Sequence, residues 1–143
     1  MQNDVLKLEN QLCFPLYAAS KEIIRKYKPF LDKYDITYTQ YLVMLVLWEE
    51  DNINVKALGE KLFLDSGTLT PLLKKLESKK YIHKVKLEKD TRNVIISLTK
   101  EGKELKSKCI NIPGEMGNCI NLSKEEANTR YILLYKALKE KSI

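Results

Sequence analysis

The sequence predicts a mainly α-helical chain that carries one small β-hairpin. Three observations lead there. Apolar residues recur at three- and four-residue spacing through most of the chain. Only between residues 82 and 98 does the period drop to two. Short polar caps and turns, such as Asp51-Asn52, Leu64-Asp65 and Ser123-Lys124-Glu125-Glu126, separate the helical stretches.

Residues 5–33 carry Val5, Leu8, Leu12, Leu16, Ala19, Ile23, Tyr27 and Phe30 at helical spacing. Pro15 interrupts the run. A proline costs little in the first turn of a helix, where its missing N–H has no partner anyway. The regular helix is therefore expected to start near Pro15, with Cys13 at or just before its N-terminus and residues 1–12 as a separate turn or arm. A second helix, Thr39 to Glu50, is apolar nearly all round, as a central buried helix would be.

Asn54 can cap a third helix whose inner stripe is Val55, Leu58, Leu62 and Phe63. Leu64 and Asp65 form a tight turn, and Asp65 is expected to cap the next helix, Ser66 to Lys79, with Leu69, Leu72, Leu73 and Leu76 facing inward. Two readings of Pro71 stay open: a kink, or a helix that becomes regular there with Thr70 as its cap.

In residues 82–98, His83, Val85 and Leu87 alternate with lysines, and Val94, Ile96 and Leu98 alternate in turn. Asp90-Thr91-Arg92-Asn93 is expected as the polar turn between them. Helical spacing returns from Thr99 through Leu105, Cys109 and Ile112, and Pro113-Gly114 is expected to kink or end that helix. Ser123 to Glu126 is a capping-box pattern for a last helix with Ala127, Tyr131, Leu134 and Leu138 on one face.

The chain has 143 residues, which predicts one domain with a real core, and its 44% hydrophobic content argues against disorder. No secretory leader or bilayer-length apolar run is visible, so a cytoplasmic protein without membrane contact is expected. Three cysteines (Cys13, Cys109, Cys119) and one histidine, with no Cys-x-x-Cys, give neither a disulfide framework nor a metal-ligand spacing.

Helix, tight turn, helix and hairpin follow in the order of a winged helix-turn-helix, which places its second helix in the major groove of DNA. Charge supports this placement. Lys74 to Arg92 holds eight Lys and Arg against three acids, a net +5 of the chain's formal +6. The reading helix opens with Ser66, Gly67, Thr68 and Thr70, small hydrogen-bonding residues that admit bases and phosphates closely. Lys74, Lys75, Lys84, Lys86 and Lys89 suit phosphates. At the wing, Asp90 either orients the Arg92 guanidinium toward the minor groove or forms an exposed turn ion pair with it. The bland alternative for the whole region is a degenerate winged fold used for protein contacts.

Cys13 has two readings as well. A cysteine on an apolar helix face is ordinarily inert packing. At a helix N-terminus, free N–H groups and the dipole favour the thiolate, whose attack on a peroxide O–O bond gives a sulfenic acid. The apolar neighbours Leu12, Phe14 and Leu16 would suit an organic peroxide.

Long motifs decide between these readings. They are Lys7-Leu8-Glu9-Asn10-Gln11-Leu12-Cys13-Phe14; Leu31-Asp32-Lys33 with Ile36-Thr37-Tyr38-Thr39-Gln40-Tyr41-Leu42; Leu64-Asp65-Ser66-Gly67-Thr68-Leu69-Thr70-Pro71-Leu72-Leu73-Lys74; then Asp90-x-Arg92 and Ile96-Ser97-Leu98-Thr99. Over roughly residues 7–110 these resemble the MarR-type transcriptional regulators, specifically the organic hydroperoxide resistance branch, and the last third resembles them more loosely.

The resemblance implies a homodimeric repressor that binds a palindromic operator in double-stranded DNA and needs no cofactor. Residues 1–38 and 100–143 would supply dimerisation helices, and residues 39–99 the DNA-binding part. Cys13 would be the reactive thiol. Tyr27 and Tyr38 would reach it from the partner subunit, with Tyr17 nearby, and an organic hydroperoxide would be the effector that releases DNA. Pro15, where an ordinary apolar residue is usual, and Thr91, where an acid is common, depart from the pattern. Some members of the branch pair the oxidised cysteine with a small thiol. Others use a second, C-terminal cysteine, and Cys119 lies in that part of the chain. The competing functions are a regulator of the same fold that answers a small-molecule ligand, and a thiol peroxidase.

Overall fold

The computed structural model describes residues 4–87 and 90–139, the side chains of 87 and 90–92 excepted. The chain divides into two compact units, one ending at Ile112 and the other beginning at Pro113.

Two short 3-10 turns, Asp4–Leu6 and Leu8–Asn10, precede the first helix. Helix α1 runs Phe14–Leu31 with Cys13 as its N-cap residue and Pro15 in its first turn, as the sequence predicts. A 3-10 turn, Asp32–Tyr34, leads to Asp35 in the left-handed region (φ 55°). Helix α2, Tyr38–Glu49, starts with a full capping box. The Gln40 amide donates to Thr37 Oγ1 (3.3 Å), and the Thr37 amide donates to Gln40 Oε1 (3.0 Å). Tyr41, Val43, Met44 and Leu47 of α2 are buried, so the all-round apolar helix is central.

A two-residue strand, β1 (Ile53–Asn54), leads into α3 (Val55–Leu62), and Asn54 caps that helix through Lys56 N–H (2.7 Å). The α3 stripe stops one residue early. Phe63 takes a left-handed conformation (φ 56°) as the C-cap, and its ring is exposed rather than core. Helix α4 is continuous over Ser66–Ser78. Pro71 sits inside it, and the Thr70 hydroxyl donates to the Ser66 carbonyl (2.8 Å), so Thr70 is not a cap. Leu69, Leu72, Leu73 and Leu76 are buried as expected.

Strands β2 (Ile82–Leu87) and β3 (Asp90–Leu98) pair antiparallel, and β1 pairs with the other edge of β3. The polar turn expected at Asp90 to Asn93 is instead the start of β3: the register shifts between Lys86 and Leu87, and Leu87 pairs with Asp90. Ile82 and Ile96 form the buried face, while His83 and Val85 are exposed. Helix α5, Lys100–Cys109, is capped by Thr99 and buries Leu105 and Cys109.

The helical run breaks at residues 110–111, and Pro113-Gly114 lie in the first turn of α6 (Ile112–Cys119). The preceding helix thus does end just ahead of Pro113-Gly114, and the pair itself opens the next one, where a first-turn proline gives up no helical hydrogen bond. Cys119 is the last residue of that helix. In the second unit the predicted capping box is present: Ser123 N–H donates to Glu126 Oε1 (2.9 Å) and Glu126 N–H to Ser123 Oγ (3.1 Å). Helix α7, Lys124–Lys139, follows. No helix among the described residues is long and apolar enough to cross a membrane.

Candidate nucleic-acid interface and thiol site

The reading helix is built from its cap outward. Asp65 Oδ1 accepts the Thr68 amide (2.7 Å), and this bond holds the Asp65 carboxyl below the usual carboxylate range. The charge also matches the positive end of the helix. The buried leucines fix one face of α4. Ser66, Gly67, Thr68, Thr70, Lys74 and Lys75 all lie on the exposed remainder. Gly67 stands out there. It has no positive φ, and a Cβ added to it would meet only Asp65 Oδ1, at 3.5 Å. Nothing inside the chain requires a glycine at a position where alanine is the better helix former. Its bare backbone opens toward solvent, at the end of the helix where a large anion is best received.

The wing is anchored from below. Asn54 Nδ2 donates to Asn93 Oδ1. Ser97 Oγ bonds Asn52 Oδ1 (2.6 Å), and the Leu98 amide donates to Asp51 Oδ1 (2.9 Å). Lys86 is exposed and Lys84 half-buried. Lys89 and the side chains of Asp90 and Arg92 lie outside the described residues. Lys79, part of the basic excess between Lys74 and Arg92, is turned inward: its side chain is 25% exposed and binds the start of α2.

The thiol site is split within one chain. Cys13 is exposed, and its side chain makes no capping hydrogen bond. Pro15 accounts for part of this, because an N-cap side chain ordinarily accepts from the second or third helical N–H and Pro15 has none. The phenols stand at the other end of α1. The Tyr27 and Tyr38 ring centroids are 4.6 Å apart, and Tyr41 joins them at 5.8 and 6.4 Å. Burial pushes all three phenols up, Tyr41 to about 12, and neighbouring ionisable groups add to the shift at Tyr38 and Tyr41. They are therefore protonated near neutral pH, with O–H groups able to donate.

Tyr27 lies fourteen residues beyond Cys13 along α1, about 21 Å of rise. No tyrosine side chain spans that, so thiol and phenols of one copy do not meet. Tyr17 is exposed, with Lys21 Nζ 5.1 Å from its ring centre. Cys109 is buried, and burial pushes its thiol up. Cys119 is exposed and lies in the second unit.

Sequence reasoning missed the Thr37–Gln40 capping box, although Thr-x-x-Gln is its ordinary signature. Tyr41, a buried core residue, also packs against the Tyr27 and Tyr38 rings. The Lys79 and Asn93 tethers join residues 39 apart in each case and carry no local signal.

Apolar side chains are exposed near both ends of the chain. Val5, Leu6, Leu8, Leu12 and Leu16 are exposed, Leu12 at 95%. So are Tyr131, Ile132, Leu133 and Leu138 of α7. In one copy Leu16 and Ala19 of the predicted α1 stripe and Tyr131, Leu134 and Leu138 of the α7 stripe are thus uncovered, while Ile23, Tyr27 and Phe30 are half-buried.

Comparison with known proteins gives a consistent picture. The family described as "Transcriptional regulator SarA/Rot" matches residues 25–109. The organic hydroperoxide resistance transcriptional regulator of Bacillus subtilis is 50% identical over 135 residues, 94% of this chain and 92% of that protein. HTH-type transcriptional regulator SarZ of Staphylococcus aureus is 51% identical over 121 residues, 85% of this chain and 82% of that protein. Among solved structures, reduced AbfR bound to DNA is 34% identical with a TM-score of 0.79, covering 97% of this chain and 96% of that one. The same protein, from Staphylococcus epidermidis, is also known in a disulfide form, at 34% identity with a TM-score of 0.63 and coverage of 99% and 98%.

Proposed function

Because this chain belongs to the MarR family of transcriptional regulators, in its organic hydroperoxide resistance branch, we propose that it is a DNA-binding repressor in the cytoplasm that lets go of its operator when Cys13 is oxidised by an organic hydroperoxide. The observation that carries the DNA part is the first turn of α4: an exposed Ser66-Gly67-Thr68 backed by an unneeded glycine, with Lys74 and Lys75 further along the same exposed side. Lys84, Lys86, Lys89 and Arg92 would hold phosphates or the minor groove from the wing, with Asp90 orienting Arg92.

The dimer follows from the uncovered apolar residues of the N- and C-terminal helices and from the split thiol site. Two copies related by a two-fold axis bring the Cys13 end of one α1 to the Tyr27 and Tyr38 of the other, and Tyr17 borders it. In the reaction the Cys13 thiolate attacks the terminal hydroperoxide oxygen. The S–O bond forms as the O–O bond breaks, sulfur is oxidised, and the peroxide leaves as an alkoxide that takes a proton to become the alcohol. The phenols, held protonated by burial, donate to the thiolate and lose that partner on oxidation.

A gel shift with a duplex from the gene's own upstream region tests this, with and without cumene hydroperoxide. The reduced protein should bind as a dimer, with affinity that falls steeply as salt rises. Release should follow oxidation. Gly67→Ala should leave the fold as stable or gain up to about 1 kcal/mol, yet weaken binding by about tenfold or more, the cost of one misfitted contact. Unchanged affinity in Gly67→Ala would remove the close approach from the reading.

Cys119 is proposed to resolve the sulfenic acid. Its thiolate attacks the Cys13 sulfur of the other copy, forming the S–S bond and expelling hydroxide, which leaves as water. The two Cα atoms must come within about 7 Å for this. After hydroperoxide treatment, non-reducing electrophoresis should show a covalent dimer that is missing in Cys119→Ser. A monomer band bearing a small thiol on Cys13 instead would assign the protein to the one-cysteine route.

A further inference from the structure

Lys79 joins the two halves of the proposed switch inside a single copy. It is the C-cap residue of α4, where a cation meets the negative end of the reading helix. Its ammonium donates to the Asp35 carbonyl and to Gln40 Oε1 (3.1 Å), and lies 3.9 Å from the Asp35 carboxylate. Gln40 is almost fully buried, and the same Oε1 accepts the Thr37 amide in the capping box of α2. The first residue of that helix is Tyr38, whose ring packs on Tyr27. One oxygen therefore ties the helix start that holds a phenol to the end of the helix that reads DNA. A second bond runs alongside: the Tyr81 hydroxyl, just past α4, donates to the Tyr34 carbonyl (3.0 Å).

We propose that Lys79 is a positioning residue that transmits the oxidation state of the thiol site to the reading helix, through Gln40 and the capping box of α2. The inference rests on the proposed function. When the phenols lose the thiolate, any shift of the first turn of α2 moves Gln40 and the Asp35 turn. The ammonium is bonded to both, so α4 follows. A basic side chain counted by sequence only in the charge of this segment thus acts from the protein side of the helix.

The test uses Lys79→Met, which keeps the apolar stem and removes the donors. The dissociation constant for the upstream duplex is measured for fully reduced and for cumene hydroperoxide-treated protein, and the ratio of the two is the readout. Lys79→Met should lower that ratio at least about fivefold from the parent value, the low end of ordinary coupling between two sites. Lys79→Gln, whose shorter amide cannot reach both acceptors, should lower it too and serves if the Met form is unstable. Lys79→Arg, which keeps charge and donors, should recover most of it. A purely structural part, or a direct phosphate contact, would change both constants by one factor and leave the ratio intact, and that result overturns the proposal. If the parent shows no change on oxidation, the functional reading itself fails, which the parent measurement alone reveals.

Discussion

Cys13→Ser should bind the upstream duplex about as tightly as the reduced parent and should not release it on treatment with cumene hydroperoxide. Coupling between an effector site and a binding site is typically worth about 5- to 150-fold in affinity. The parent's ratio of oxidised to reduced dissociation constants is expected in that range, and the serine variant's at about one. The expectation follows from chemistry and placement. Cys13 is exposed at the start of α1, whereas Cys109 is buried with its thiol pushed up, so it is a poor nucleophile. Serine keeps the size and hydrogen-bonding capacity of the site without a thiolate. Tyr27→Phe and Tyr38→Phe should each blunt the response while leaving most of the reduced affinity. A Cys13→Ser protein that lets go of DNA as readily as the parent would move the sensor elsewhere. If it responded instead to a small aromatic or acidic molecule, the ligand-sensing alternative would take over. Rapid turnover of peroxide by the parent with a thiol reductant would favour a peroxidase.

What sequence made legible was local. Asp65 was readable as a cap because its partner, Thr68 N–H, is three residues away. The Ser123 box was readable for the same reason, and the four leucines of α4 because helical spacing leaves them one face. The misses share a different cause. Pro113-Gly114 read as a kink or an end, and the helix does break just before them, but that the pair also opens the next helix shows only from the break at residues 110–111. Phe63 continued an apolar stripe in sequence, but the chain turns left-handed there and sends the ring outward. The wing turn slid because the register shifts between Lys86 and Leu87, so that Leu87 pairs with Asp90 and β3 already begins there.

Long-range ties were not legible at all. Nothing near Lys79 announces Gln40, and nothing near Asn54 announces Asn93. The thiol site is the sharpest case. Motif resemblance named Cys13, Tyr27 and Tyr38 together, while in one copy Tyr38 packs on Tyr27, about 21 Å of helical rise along α1 from Cys13. The proposed site therefore needs a pair of chains, and the fold of one copy holds only its two parts.

Gly102→Ala should be the most damaging small substitution in the DNA-binding unit, the reverse of the same change at Gly67. Gly102 sits in the first turn of α5, and a Cβ there would fall 2.2 Å from the Tyr81 carbonyl oxygen. That oxygen belongs to backbone and cannot swing aside. It also accepts the Thr99 amide (3.1 Å), while Thr99 Oγ1 donates to the Lys80 carbonyl (2.6 Å) and accepts the Gly102 amide (2.9 Å). The Gly102 carbonyl in turn accepts Trp48 Nε1–H (2.9 Å) from central helix α2. Making room for one methyl group therefore strains a cap, a turn and the α2–α5 contact together. Overpacking ordinarily costs about 1–3 kcal/mol, and the hydrogen bonds at risk, each worth about 1 kcal/mol, carry the total to about 3 kcal/mol or more. Alanine's better helix propensity returns no more than about 1 kcal/mol. At roughly 2–8 °C per kcal/mol for domains of this general size, the midpoint of thermal unfolding should drop by about 5–15 °C. Trp48 emission reports the transition from the contact itself, and Gly67→Ala measured beside it should show no loss. A Gly102→Ala protein that melts with the parent would mean that the Tyr81 turn yields freely, and that the tight seam between α5 and the end of α4 adds little to the fold.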